Sequence, residues 1–555
     1  MILSFQKKYN KMNVKLKDIT DFYNNNQLDR AKTLAKQVIV NDPNPKILNI
    51  LGVIYYRQNN YSEAIKYFEK AYGINSEIPD PYNNIGIIYN DLGSYSKAIL
   101  FFEKAIQKDE KFYHAYFNMG NAYRALNKLD DAEKSYLKSI NIKNNYIEAI
   151  NNLGIIFHEK KQYQKAIKLY KKVIQISNNY ISAYNNLGNS LFHNGQTQEA
   201  INVFERGIDI DPENYKILTD LSNAYKAQGK LDKAINLLKQ SIKINPNYAE
   251  SYSYLGNLYN DMGEINKALK YFNLALTKNN KLKFINYNIA MILYKTNELK
   301  DAIKFFKKSK YDDYEERILQ CHYKLGEYDI FNANLKKKIN VENNSRIIAS
   351  LTAHASINLN QDNNYNFCKD PLNFIHKEKF KDKKLINDLI NLIKRLNIKN
   401  RHQALLKNGI QSSGNLFDID DYVIKKLKEI IIKHAEEYFT SYKSSNIFIK
   451  KRPPIKKIRG WYIVMQNGGY LKPHMHEGGW LSGSIYLKIP KNNKNEGNIE
   501  FGLDGNEYPK KVNNFPKKIV DIKSGDIVLF PSSLFHRTLP FNGKERTCIA
   551  FDINP

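Results

Sequence analysis

Three cysteines in 555 residues, far apart and odd in number, cannot make a disulfide framework or a zinc-ribbon spacing. A reducing compartment is the expectation. No run approaches the roughly 18 apolar residues that a membrane-crossing helix needs. The first residues, Met1-Ile2-Leu3-Ser4-Phe5 and then lysines, lack the apolar core of a signal peptide, so the expectation is a soluble, cytoplasmic chain without a membrane partner. Acidic residues are scarce beside basic ones, 56 against 85, leaving a formal charge of +29. Such a charge invites a nucleic-acid reading. The lysines, however, are spread along nearly every helical stretch, and no basic block is interleaved with stacking aromatics. Nucleic acid is therefore not the expected partner.

What the chain has in abundance is repetition. Gly52, Gly86, Gly120, Gly154, Gly188, Ser222, Gly256 and Ala290 recur every 34 residues, and Ala64, Ala98, Ala132, Ala166, Ala200, Ala234, Ala268 and Ala302 form a second ladder with the same step. Small residues at two fixed places mark close helix approach, and Ile85, Tyr89, Ile99 and Phe102 are of the kind that fill the remaining core. Asp211-Pro212 and Asn245-Pro246 should stop second helices. This period and pattern resemble the tetratricopeptide repeat family, which implies antiparallel helix pairs in a right-handed superhelix with a concave groove. Eight in-register units run from about Pro45 to Lys310, with a degenerate unit before them (Val14 to Asp42) and a shortened one after (Tyr314 to Ile339).

Two residues before the ruler position stand Asn84, Asn118, Asn152, Asn186 and Asn288. An amide offers a donor and an acceptor, so such a ladder can satisfy the backbone of an extended peptide. Similar ladders line the repeats of O-linked N-acetylglucosamine transferases, which implies a protein or peptide partner here. The alternative is a solvated face in a chain where asparagine is simply common.

Residues 340–371 lose the period and read as an asparagine-rich linker with room for a short ordered piece. Amphipathic helices are expected near Lys383–Leu396 and Asp420–Ser441, with a loop over Gln411–Phe417. Beyond them lie two strand-like runs with histidines at their ends. Gly460–Met465 leads to Pro473-His474-Met475-His476, and Asp526–Phe530 leads to Pro531-Ser532-Ser533-Leu534-Phe535-His536. On a strand His474 and His476 share a face. His536 can be brought opposite them within one barrel, and three converging imidazoles suit a first-row metal such as Fe(II). Gly468, Gly525 and Pro531 stand at offsets suited to the turns of a jelly roll. The last strand alternates, with Arg546, Cys548 and Ala550 on one face. A guanidinium on the metal-facing side asks for an anion, and its fork fits a carboxylate. Salt bridges to Asp552 or Glu545 are the plain alternative.

Trp461 through Pro490, Gln411–Phe417 and Phe530–His536 resemble the 2-oxoglutarate/Fe(II) oxygenase family often found behind tetratricopeptide repeats. The resemblance covers roughly residues 370–555. It implies a double-stranded β-helix over 372–555, following repeats over 1–339. It also implies Fe(II), 2-oxoglutarate and O2, with oxidative decarboxylation coupled to hydroxylation of a second substrate. His474 and His536 become metal ligands and Arg546 the grip on the cosubstrate. Cys548 and Tyr462 join it as cofactor-binding candidates, although Cys548 stands where many relatives carry serine. Trp461, Trp480 and Tyr486 are further aromatics that line the pocket or fill the core. His476 stands where the family's usual triad has a carboxylate. Either three histidines hold the iron or His476 supports the site from behind. A cupin-type enzyme that needs no 2-oxoglutarate, and an interaction scaffold with an inactive barrel, are the alternatives.

Overall fold

A computed structural model describes residues 15–41, 43–228, 230–339, 344–380, 382–396, 400–401, 405–412, 415–419, 421–455, 457–490, 495–505 and 507–554. The terminal Met1–Phe5 stretch, Val14, Asp42, the start of the expected linker at 340–343, His402, Ser413, Gly414 and Asp420 lie outside the described residues. The chain divides into two compact units, the first ending at Leu221 and the second beginning at Ser222.

The described residues of the first unit are helices joined by short turns. After helices at 15–24 and Leu28–Asn41 come antiparallel pairs such as Pro79–Asp91 with Tyr95–Lys108 and Ile147–Glu159 with Tyr163–Ile176. The ruler glycines explain the pairing. A Cβ placed on Gly86 would lie 2.5 Å from Cε1 of Phe102, and one on Gly154 would lie 2.6 Å from Cε1 of Tyr170. Each glycine therefore receives an aromatic ring from the second helix of its own unit. The alanine ladder is fully buried between helices. The turn inside each pair needs one left-handed residue. Gly93 and Gly195 supply it without steric cost, Asn59 and Asn127 with a small one, and Lys161 takes it as well.

The asparagine ladder is tied up between repeats. Nδ2 of Asn84 donates to Oδ1 of Asn49 (3.0 Å), Asn118 to Asn83 (2.9 Å), Asn152 to Asn121 (2.9 Å) and Asn186 to Asn151 (3.1 Å). In the second unit Asn288 donates to Asn257 (3.0 Å) in the same way.

The second unit begins with the same architecture, and its helices end before Asn245-Pro246 as the proline requires. Its last pair is Tyr314–Lys324 with Tyr328–Ile339. Residues 346–358 of the expected linker form a helix whose Ile347, Ile348, Leu351 and Ala355 are buried in one core with Trp480, Tyr508 and Phe535.

The remainder is an antiparallel sheet that curls. Its strands are β1 (His376–Lys379), β2 (Asn400–Arg401), β3 (Leu406–Ser412), β4 (Lys457–His474), β5 (Leu481–Lys488), β6 (Ile499–Gly502), β7 (Lys517–Val520), β8 (Asp526–Pro531), β9 (Phe535–Thr538) and β10 (Arg546–Asn554). The main path runs β1-β8-β5-β10-β4-β9-β6-β7, with β3 paired to β4 and β2 to β3. Strand β4 is long enough to serve β10 over 457–465, β3 along its other edge over 463–471, and β9 at its end. Gln411 and Ser412, expected in a loop, close strand β3, because the backbone there pairs with Ile463 and its neighbours in β4.

Helices Lys383–Arg395 and Tyr422–Ser441 cover one face of the sheet, as their apolar stripes demand. Ile485, Ile527, Leu529, Ile549 and Phe551 point into that layer. The alternate residues, among them Ile463, Tyr486, Val528, Cys548 and Ala550, make a second core inside the curl. Among the described residues no helix is long and apolar enough to cross a membrane.

Candidate metal centre

The inner core ends in a polar cavity lined by Gln411, Trp461, Tyr486, Arg546, Cys548 and the three histidines, among others. The histidines arrive from different places. His474 closes β4, and its register partner on β9 is His536. His476 lies two residues past the end of β4, where its backbone N–H donates to the carbonyl of Ser532 (3.0 Å). The ring centroids lie 4.3 Å (474 to 536), 4.9 Å (476 to 536) and 5.3 Å (474 to 476) apart. One ring nitrogen from each lies within 4.8 Å of the others.

Hydrogen bonding orients all three rings alike. Nδ1–H of His474 donates to the carbonyl of Lys472 (2.9 Å) and that of His536 to the carbonyl of Leu534 (3.3 Å). Nδ1–H of His476 donates to Oδ1 of Asp552 (2.5 Å). Asp552 and the two carbonyls accept, so each Nδ1 carries a proton, and Nε2 is the nitrogen each ring offers to a metal when neutral. The Nε2 atoms of His474 and His476 stand 3.3 Å apart. Nitrogens that close together can serve one cation. Burial, with His476 beside it, lowers the pKa of His474 to about 4, and burial first, then the same neighbours, holds His536 well below its ordinary value. Both rings are therefore neutral near pH 7, the form that binds metal. The donor set fits a first-row divalent cation.

From sequence, Asp552 is a candidate only for an ion pair with Arg546. Its carboxylate instead serves His476 and takes the hydroxyl proton of Ser482 (2.6 Å), whose oxygen lies 2.8 Å from that of Ser532. Nothing in the local sequence marks Asp552 out, because its partner lies 76 residues away. Glu545, the other suggested partner of Arg546, binds Lys488 (3.0 Å) and Thr547 (2.9 Å).

Arg546 is only 1% exposed. Its Nε donates to the carbonyl of Gly497 (3.1 Å), its Nη1 lies 3.6 Å from Sγ of Cys548 and 3.9 Å from Sδ of Met465, and the group stacks over Tyr486. Among the described residues no carboxylate lies within ion-pair distance of it. Its neighbours, a carbonyl, two sulfurs and the Tyr486 side chain, bring no counter-charge, and its position in the histidine cavity suits a carboxylate ligand. Cys548 lines the same cavity, with its thiol held protonated by burial.

Tyr462 does not reach the cavity. Strand alternation turns Trp461 and Ile463 inward and sends Tyr462 to the helix-covered face. Trp480 is in that outer core too, its indole N–H donating to the carbonyl of Phe448 (2.9 Å). Of the Gln411–Phe417 stretch, Gln411 reaches the cavity, where its buried Oε1 has no partner among the described residues. Asn415 is structural, accepting from the backbone N–H of Gly460 (2.8 Å). A second group, Glu378, His434 and Glu437, also gathers three possible ligand atoms. There His434 pairs with Glu378 (2.6 Å) and Glu437 is mostly exposed.

Comparison with known families agrees with both halves of this description. The model described as "Putative 2OG-Fe(II) oxygenase" matches residues 459–552. Tetratricopeptide-repeat models match 16–83, 79–112, 101–134, 120–160, 154–195, 191–257, 225–282 and 285–311. Among curated proteins no relative matches. Solved structures similar to part of the chain include YrrB, described as a TPR protein with an unusual peptide-binding site (22% identity over 33% of this chain and 95% of that one, TM-score 0.30). Others are pilF of Pseudomonas aeruginosa (17%, 36% and 92%, TM-score 0.33) and MamA of Desulfovibrio magneticus RS-1 (20%, 30% and 95%, TM-score 0.29).

Proposed function

We propose that this chain, which carries tetratricopeptide repeats and a 2OG-Fe(II) oxygenase-like domain, is an Fe(II)- and 2-oxoglutarate-dependent dioxygenase that hydroxylates a protein or peptide recruited by the repeats. On this reading residues 372–555 form a double-stranded β-helix, 1–339 the recruiting repeats and 340–371 the connection. One observation carries the proposal: a buried cation without a carboxylate partner among the described residues shares a cavity with three imidazoles. A dicarboxylate that reaches the metal with one end and Arg546 with the other satisfies both groups at once.

His474, His476 and His536 would hold Fe(II) through Nε2, with Asp552 fixing the tautomer of His476. Iron and 2-oxoglutarate together supply the oxidising chemistry with O2, the cosubstrate losing CO2 as a C–H bond of the target becomes C–OH. The protein's own part is positional. Arg546 orients the far carboxylate, Cys548 and Tyr486 form the wall around it, and Gln411 offers an unused acceptor to whatever enters. Tyr462 supports this wall from the opposite face. Tethering to repeats raises the local concentration of a captured peptide. Since one Nδ2 N–H of each of Asn84, Asn118, Asn152, Asn186 and Asn288 is engaged between repeats, such a peptide would use their second N–H, their acceptors and neighbouring side chains.

The test is release of labelled CO2 from 2-oxoglutarate by the full chain loaded anaerobically with Fe(II), then exposed to O2. Release that disappears in Arg546→Ala supports the proposal. The all-histidine donor set favours a second reading, a cupin-type metal enzyme, and bound iron with no affinity for 2-oxoglutarate would establish that one instead. A chain that takes up no metal would leave a binding scaffold.

A further inference from the structure

The residue after His476 is held from outside the sheet. Glu477 accepts from Nη1 and Nη2 of Arg317 at 2.9 and 2.6 Å, a two-pronged pair with a residue of the last repeat, 160 positions earlier. Arg317 is 5% exposed, and three more groups fix it: Asp313 (2.9 Å), Gln320 (3.2 Å) and the hydroxyl of Tyr287 (3.3 Å). A second arginine, Arg346 of the helix that follows the repeats, donates from Nε to the backbone carbonyl of Glu477 (3.1 Å). The side chain and the backbone of one residue are thus gripped from two separate helices. That residue lies in the turn closed by the Gly479 N–H on the carbonyl of His476 (3.2 Å).

We infer that Arg317 and Arg346 are positioning residues for the metal centre, and that the last repeat sets the geometry of His476 through Glu477. The inference rests on the metal reading of the three histidines. His476 is the one candidate ligand beyond the end of its strand, so the sheet ladder alone does not fix it. A bidentate pair to a buried arginine is directional and stiff, and its stiffness passes through one peptide unit to the imidazole. Movement of helix Tyr314–Lys324, such as capture of a peptide by the adjoining repeats would cause, would reach the metal by this route. Glu477 has no access to the cavity of its own, because it faces the repeat and not the other histidines.

The experiment is a titration of the full chain with Co(II), followed by its visible absorption, in wild type, Glu477→Gln, Arg317→Met and Arg317→Lys. Helical circular dichroism and the urea midpoint are measured alongside. The expected result is an affinity for Co(II) weakened roughly tenfold in Glu477→Gln and Arg317→Met, with an altered band shape that reports changed ligand geometry. Arg317→Lys should recover only part of the affinity, since an ammonium cannot hold both carboxylate oxygens. Glu477→Gln removes only a charge from a half-exposed side chain, so it keeps the question open to test if Arg317→Met fails to fold. Cobalt bound with the same affinity and spectrum by wild type and by folded Glu477→Gln would overturn the inference and leave the metal reading standing. A wild-type chain with no more cobalt uptake than His474→Ala would overturn both.

Discussion

Nδ1–H of His476 donates to Oδ1 of Asp552 across 2.5 Å, joining the turn after β4 to the far end of β10. The carboxylate makes the imidazole a better donor on its other nitrogen and fixes which nitrogen that is. It also orders Ser482, so removal of its charge loosens more than one group.

Asp552→Asn should therefore lower metal affinity by about 10–100-fold while leaving the sheet intact. A cobalt titration beside a urea melt measures both quantities. An unchanged affinity would place His476 outside the ligand set.

Arg546→Met should stabilise the metal-free chain while abolishing turnover. The guanidinium sits in the inner core with no carboxylate near it, and methionine fills similar volume without a charge to desolvate. A gain of roughly 1–3 kcal/mol in urea unfolding is expected, together with loss of 2-oxoglutarate binding. A loss of stability would mean that the buried cation is better satisfied than its partners suggest.

Acid should weaken the metal-free protein through its histidines. Above pH 6.5, the unperturbed value, neither the folded nor the unfolded chain protonates His474, and its contribution is flat. From there down to about 4 the unfolded chain takes up a proton that the buried ring refuses, so stability falls with pH across that window. Urea midpoints in chelator at pH 7, 6 and 5 should decline, and decline less in His474→Gln. Parallel declines would assign the effect to other groups, His354 among them, whose pKa burial also lowers to about 4.

In the repeats, Gly86→Val should cost about 1–3 kcal/mol through overpacking, because the new side chain meets the ring of Phe102. Denaturant unfolding of the full chain followed by helical signal is the measurement. Gly73→Val, at a position with nothing within 4 Å of a built Cβ, is the comparison and should cost less.

Features with a short period were legible in the sequence. The 34-residue step carries its own explanation, since Gly86 and Phe102 sit in one unit and reappear in the next. The alternation of β10 was legible as well, because Arg546, Cys548 and Ala550 must share a face. The same rule applies to Tyr462: its neighbours Trp461 and Ile463 hold the inward positions, so it takes the outward one. Pairings across long stretches of chain left no local trace. Asp552 with His476 and Arg317 with Glu477 depend on how the sheet curls and where the last repeat lands. The asparagine ladder was visible as a pattern, but its bonding was not, since an amide that binds a peptide and one that binds its neighbour look alike in sequence.

Among the described residues β9 meets β4 at two register pairs, Leu471 with Thr538 and His474 with His536. An ion shared by the second pair would rivet the two strands where their ladder is thinnest. Loading the centre and closing that seam then become one event, and a chelator should unzip the β9-β6-β7 margin before it disturbs anything else.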